Sequence, residues 1–118
     1  MRGLPLLLMI TTATPGLCAE ATEPNNAVRD LLSKHCFSCH GPDKQQGGLR
    51  LDKRRSLLAG GDSGEPAIRP GQPSASELIR RITSRDPEVM MPPKGSRLTP
   101  TATGLISEWI RRGAVMTG

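Results

Sequence analysis

Two thiols and an imidazole fall within five consecutive residues, Cys36-Phe37-Ser38-Cys39-His40. This spacing admits three kinds of chemistry. A structural zinc site needs four ligands in a tetrahedron. His35 is the one further nitrogen donor nearby, and using it would squeeze all four ligands into six consecutive residues. A redox-active Cys-x-x-Cys usually follows a strand in a βαβ pattern, whereas the segment before Cys36 reads as helix. The third use is covalent attachment of haem c, for which Cys-x-x-Cys-His is the signature. There the thiols add to the two vinyl groups of haem, and the two intervening residues set the cysteines at the span of those groups. The histidine directly after Cys39 is then held beneath the iron. Imidazole suits that iron, and its other ring nitrogen can donate to a carbonyl that fixes its orientation. The pattern favours haem over a disulfide and over zinc.

A six-coordinate haem iron needs a second axial ligand. His35 immediately precedes Cys36 and cannot reach the opposite face, so a methionine is expected. Met91 precedes Pro92-Pro93. Proline disfavours helix at the residue before it, and two stiff prolines help hold a loop across a flat face. Met91 is therefore the candidate, with adjacent Met90 as the alternative. Met116 lies in the C-terminal tail. A thioether ligand favours reduced iron and raises the potential.

Residues 1–21 have the build of an exported leader. Arg2 carries charge, a short apolar run spans residues 4–10, Thr14-Pro15-Gly16 breaks it, and Ala19-Glu20-Ala21 offers small residues for cleavage. The run is too short to cross a bilayer. Leu17 before Cys18 disfavours lipid attachment there. Cleavage after Ala21 leaves a single domain, residues 22–118, in a periplasmic or otherwise exported compartment. It also removes Cys18, so the remaining cysteines are the pair Cys36 and Cys39. Free thiols are not expected to persist in such an oxidising compartment.

The elements that must position these groups read as helices separated by loops. Asn25 or Asn26 can cap a first helix running to about Lys34, with Val28, Leu31, Leu32 and His35 on one face. That helix delivers the chain into the Cys-x-x-Cys-His motif. Residues 41–48 read as loop. Asp52 can cap a short helix over residues 53–59, ended by Gly60-Gly61. Residues 60–73 are loop. Ser74-Ala75-Ser76-Glu77 fits a capping box opening a helix with Leu78, Ile79 and Ile82 inward, which Asp86-Pro87 ends. Thr99 caps the last helix with Pro100 at its first position. Leu105, Ile106, Trp109 and Ile110 form its apolar face, and Gly113 stops it. The predicted class is all-α, with about four helices. Leu, Ile, Val and Phe together make up only about a fifth of the chain, and Gly plus Pro another fifth. Such a composition cannot build a large aliphatic core, and a bound macrocycle would supply the missing interior. Trp109 reads as a core anchor.

The ordered set of motifs resembles the cytochrome c domain of planctomycete type, within the class I cytochrome c-like fold. The residues that carry the likeness are Cys36-Phe37-Ser38-Cys39-His40-Gly41, Gly47-Gly48-Leu49-Arg50-Leu51-Asp52, Leu58-Ala59-Gly60-Gly61 and Pro70-Gly71-Gln72-Pro73. Ser76-Glu77-Leu78-Ile79-Arg80-Arg81-Ile82, Met91-Pro92-Pro93, Leu98-Thr99 and Trp109-Ile110-Arg111-Arg112-Gly113-Ala114 complete it. The resemblance implies one haem c on Cys36 and Cys39, His40 as proximal ligand and Met91 as distal ligand. It also implies one-electron transfer outside the cytoplasm rather than an enzymatic reaction. Such domains usually head longer proteins, so a free carrier and a truncated copy of a fused form are both open. The last helix departs from relatives, with Ala102, Thr103 and Gly104 replacing an acidic cap partner and apolar residues. Gly104 either weakens that helix or lets it approach the first one closely.

Net charge is +5. Lys53-Arg54-Arg55 and Arg80-Arg81 read as a solvated face, with some side chains available to haem propionates. The remaining positive charge favours a redox partner with an acidic docking surface, through steering. With one Phe, one Trp and no Tyr to stack bases, nucleic-acid binding is disfavoured. Gly47-Gly48 is a turn, lacking the strand–GxxxxGK[ST]–helix context of a phosphate loop. No nucleophile–base constellation suggests hydrolysis, so no catalytic residue is assigned. The main rival to a monomeric carrier is a haem-based sensor or small-ligand-binding module in which Met91 is labile.

Overall fold

The computed structural model describes residues 3–5, 9–10 and 23–116. The expected leader and its cleavage site lie almost wholly outside the described residues. Among those described there are four α-helices and no strand: α1 Glu23–His35, α2 Arg54–Ala59, α3 Glu77–Thr83 and α4 Pro100–Arg111. Short 3₁₀ turns occupy Gln46–Gly48 and Pro73–Ala75. None of the described helices is long and apolar enough to cross a membrane.

Helix α4 organises the rest by packing against both α1 and α3. Its apolar face is Ala102, Ile106, Trp109 and Ile110, which meet Val28 and Leu32 of α1 and Leu78 and Ile82 of α3 in one core cluster. Leu105 is 43% exposed, contrary to expectation. At about 100° per residue it sits at the edge of the stripe rather than on it. Trp109 is buried, and its indole N–H donates to the Val115 carbonyl at 2.8 Å, so it is a core anchor.

The ends of α4 follow the sequence closely. Thr99 Oγ1 accepts from the Ala102 N–H at 3.1 Å, and Pro100 opens the helix. At the other end Gly113 takes φ +108°, its N–H donates to the Ile110 carbonyl, and the Ala114 N–H donates to the Trp109 carbonyl. That pair of bonds closes the helix as a Schellman motif. Arg54 of α2 reaches across to the carbonyls of Gly113 and Ala114 at 3.2 and 3.0 Å. Gly104 faces open space, so it makes no close helix contact and is simply a weak point in α4.

Three expected caps are not formed. Helix α1 begins at Glu23, so Asn25 and Asn26 lie inside it, because Pro24 is tolerated in a first turn. Helix α2 starts at Arg54 without a side-chain cap, because Asp52 is taken by a forked ion pair with Arg50 at 2.6 and 2.8 Å. The Ser74–Glu77 box is replaced by a 3₁₀ turn. Ser76 instead accepts from the Arg69 N–H and donates to the Gln72 carbonyl, while Glu77 pairs with Arg80 and Arg81.

Candidate functional site

Helix α1 does not stop cleanly at His35. The N–H groups of Cys36 and Phe37 donate to the Leu32 carbonyl, and those of Cys39 and His40 to the Cys36 carbonyl. Successive turns therefore carry the motif directly off the helix end. The chain then reverses, with the Gly41 N–H on the Lys44 carbonyl and the Gln46 N–H on the Cys39 carbonyl. The Leu51 N–H meets the His40 carbonyl at 2.9 Å, which sets the following segment alongside the motif. Arg50 and Asp52 brace that segment, and hydrogen bonding from Arg50 holds the Asp52 carboxyl below the usual carboxylate range.

The motif faces a cavity of about 760 Å³, within the roughly 300–1,000 Å³ of small-molecule and cofactor sites. Cys36, Cys39, His40 and Met91 all line it. Its apolar walls include Leu49, Leu51, Leu78, Ile82, Pro92 and Pro93. One wall is a junction of two glycine-rich loops. The Asp62 N–H donates to the Gly47 carbonyl at 2.8 Å, and a Cβ on Gly61 would collide with that same carbonyl oxygen. Glycine is required there for close approach, so the loops leave the cavity wide.

No disulfide joins Cys36 and Cys39. Burial, with a smaller contribution from Cys39, pushes the Cys36 thiol up to about 11. A thiol–disulfide redox centre depends on the opposite shift. Among the described residues no group of three or more His, Cys, Asp or Glu side chains is arranged to hold a metal ion. The His40 ring differs from expectation: its Nδ1 is buried without a hydrogen-bond partner. The Leu32 and Cys36 carbonyls just before it already receive two backbone N–H groups each.

A loop between α3 and α4 supplies another part of the cavity lining. Asp86 folds its start, accepting the Glu88 N–H on its side chain and the Val89 and Met90 N–H groups on its carbonyl. The Met91 N–H donates to the Arg81 carbonyl at 2.9 Å, and the Arg81 guanidinium donates back to the Val89 carbonyl at 3.3 Å. Glu77 grips Arg81 at 3.0 Å, and hydrogen bonds from Arg80 and then Arg81 hold its carboxyl below the usual range. Met91 lines the cavity and Met90 does not.

Of the basic residues singled out in the sequence, only Arg81 lines the cavity. Arg54 is spent on the end of α4, and Arg80 on Glu77. Lys94 and Glu77 line it without having been anticipated, and Arg97 holds the loop from outside it. Arg97 reaches Ile82 fifteen residues back, which only folding brings close, whereas Glu77 stands three and four residues before Arg80 and Arg81, a helical pairing distance that could have marked it.

Two thiols, an imidazole and a thioether around an apolar slot form a donor set that fits a covalently held haem. The family model of planctomycete cytochrome C matches residues 36–95, which run from the first cysteine through the methionine loop. Neither the curated proteins nor the solved structures gave a match.

Proposed function

The chain belongs to the planctomycete cytochrome C family, and from that premise we propose that it is a monohaem one-electron carrier working outside the cytoplasm. The observation that carries this reading is the convergence of Cys36, Cys39, His40 and Met91 on one apolar cavity. Cys36 and Cys39 would hold the haem through thioether bonds, and His40 and Met91 would ligate its iron. When bound, that group supplies reversible one-electron iron chemistry. The protein's part is to bind, orient and insulate. The α1 end and the 49–52 segment hold His40, while the α3 end holds Met91. Leu49, Leu51, Leu78, Ile82 and the two prolines keep water away, and a soft thioether favours the reduced state. The buried, unpartnered His40 Nδ1 is consistent with a ring whose orientation is completed by its ligand rather than by the protein.

The domain is read as residues 22–118 after removal of a leader, acting as a monomer toward an acidic partner surface. An excess of basic groups would steer that encounter, and its rate should fall as salt rises.

The test is a reduced-minus-oxidised visible spectrum of protein made with haem-maturation machinery. Narrow low-spin bands and the weak methionine-to-iron charge-transfer band are expected. Met91→Ala should abolish the weak band and open the iron to carbon monoxide. Ready carbon monoxide binding by the unmutated reduced protein would instead favour a ligand-binding module. A protein without covalent haem would overturn both.

A further inference from the structure

Met90 and Met91 are adjacent and both half-buried, yet only Met91 lines the cavity. They lie outside any helix, and a single sixth iron position takes one thioether. One of the two thioethers must therefore turn away, and something must decide which.

The Met91 backbone is seated against α3 by its bond to the Arg81 carbonyl. The other half of the decision lies on Met90. Its Sδ accepts from Arg97 Nη1 at 3.3 Å, while Nη2 of the same guanidinium donates to the Ile82 carbonyl at 2.9 Å. Ile82 is in the last turn of α3, where carbonyls have no partner within the helix. One planar fork thus spans an orphan helix carbonyl and a thioether, with a geometry that a flexible ammonium does not match. While its sulfur sits on this guanidinium, Met90 is held away from the cavity. Swinging Met90 inward would also strand a half-buried guanidinium N–H.

We propose that Arg97 sorts the two methionines: it holds Met90 outward and thereby commits Met91 to the sixth iron position. The inference rests on the haem reading above. Arg97 acts through Met90 and the loop, so it is a positioning residue.

The experiment uses reduced holo-protein with ¹³C-methyl-labelled methionine. An axial methionine methyl lies over the haem face and is recognised by its large ring-current shift. The unmutated protein should show one such signal, and Met91→Leu should remove it. Arg97→Leu should show two, and Met91→Leu combined with Arg97→Leu should recover one, from Met90. That recovery is not expected if Arg97 merely stabilises the fold. If Arg97→Leu keeps the Met91 signal alone or loses axial methionine altogether, or if the double variant has none, the sorting role falls. Should Arg97→Leu not fold, Arg97→Lys serves, since one ammonium cannot span both acceptors. A minor second signal is expected there, and an unchanged single signal overturns the proposal. If the unmutated protein has no axial methyl, or Met91→Leu retains it, the ligand assignment itself fails and the sorting falls with it. Normal behaviour of those two controls confines any failure to Arg97.

Discussion

The two sides of the cavity are built by different means. The Cys36–His40 side continues a helix, and its backbone bonds close within five residues on Leu32 and Cys36. Its root is Val28 and Leu32, both fully buried against α4. The Met91 side has no helix of its own. It is held by polar contacts that cross the chain: Arg81 to Val89, Met91 to Arg81, and Arg97 to Ile82 fifteen residues away. The difference teaches where adjustability resides. A helix-borne motif on a packed root moves only with the core, whereas a loop held by three or four hydrogen bonds can let go locally.

The comparison can be broken or sharpened by substitution. The largest effect is expected from replacing Cys36 and Cys39 together by Ser, which should abolish covalent haem altogether. Intact mass will read it, and a retained haem mass would refute the attachment side as drawn. Next, Leu32→Ala removes a fully buried side chain beneath the motif. It should cost about 2–5 kcal/mol in denaturant unfolding, and a near-neutral result would deny that α1 roots that side. Asp52→Asn should weaken the brace beside His40 in a pH-dependent way. The folded carboxyl titrates lower than the unfolded one, so its contribution is present above the unfolded value of about 3.9 and fades as pH falls through the folded one. The stability gap between the two proteins should therefore be full at neutral pH and close in acid. A gap independent of pH would show that the ion pair is not its source. Smallest, and opposite in sign, Gly104→Ala should raise stability by about 1 kcal/mol, since the position is helical and faces open space. It supports both sides through α4 and should leave their spectroscopic signatures unchanged.

The sequence by itself determined the Cys-x-x-Cys-His pentapeptide, the all-helical class and the ends of α4. Each of these is a local matter: fixed spacing, a 3.6-residue period, a Thr-Pro start and a Gly stop. It also narrowed the candidate distal ligand to two neighbours, because proline stiffens its own surroundings. Only the tertiary structure decided which thioether faces the cavity. It also decided that Asp52 and Glu77 pair with arginines rather than cap helices, and that Arg81 alone among the anticipated basic groups reaches the site. A charged side chain near a helix start has two satisfactory uses, a free N–H or a guanidinium. Arg50 lies two residues before Asp52, and Arg80 and Arg81 one helical turn after Glu77, so spacing allows either use, and the backbone path that the packed fold imposes at each helix start decides between them.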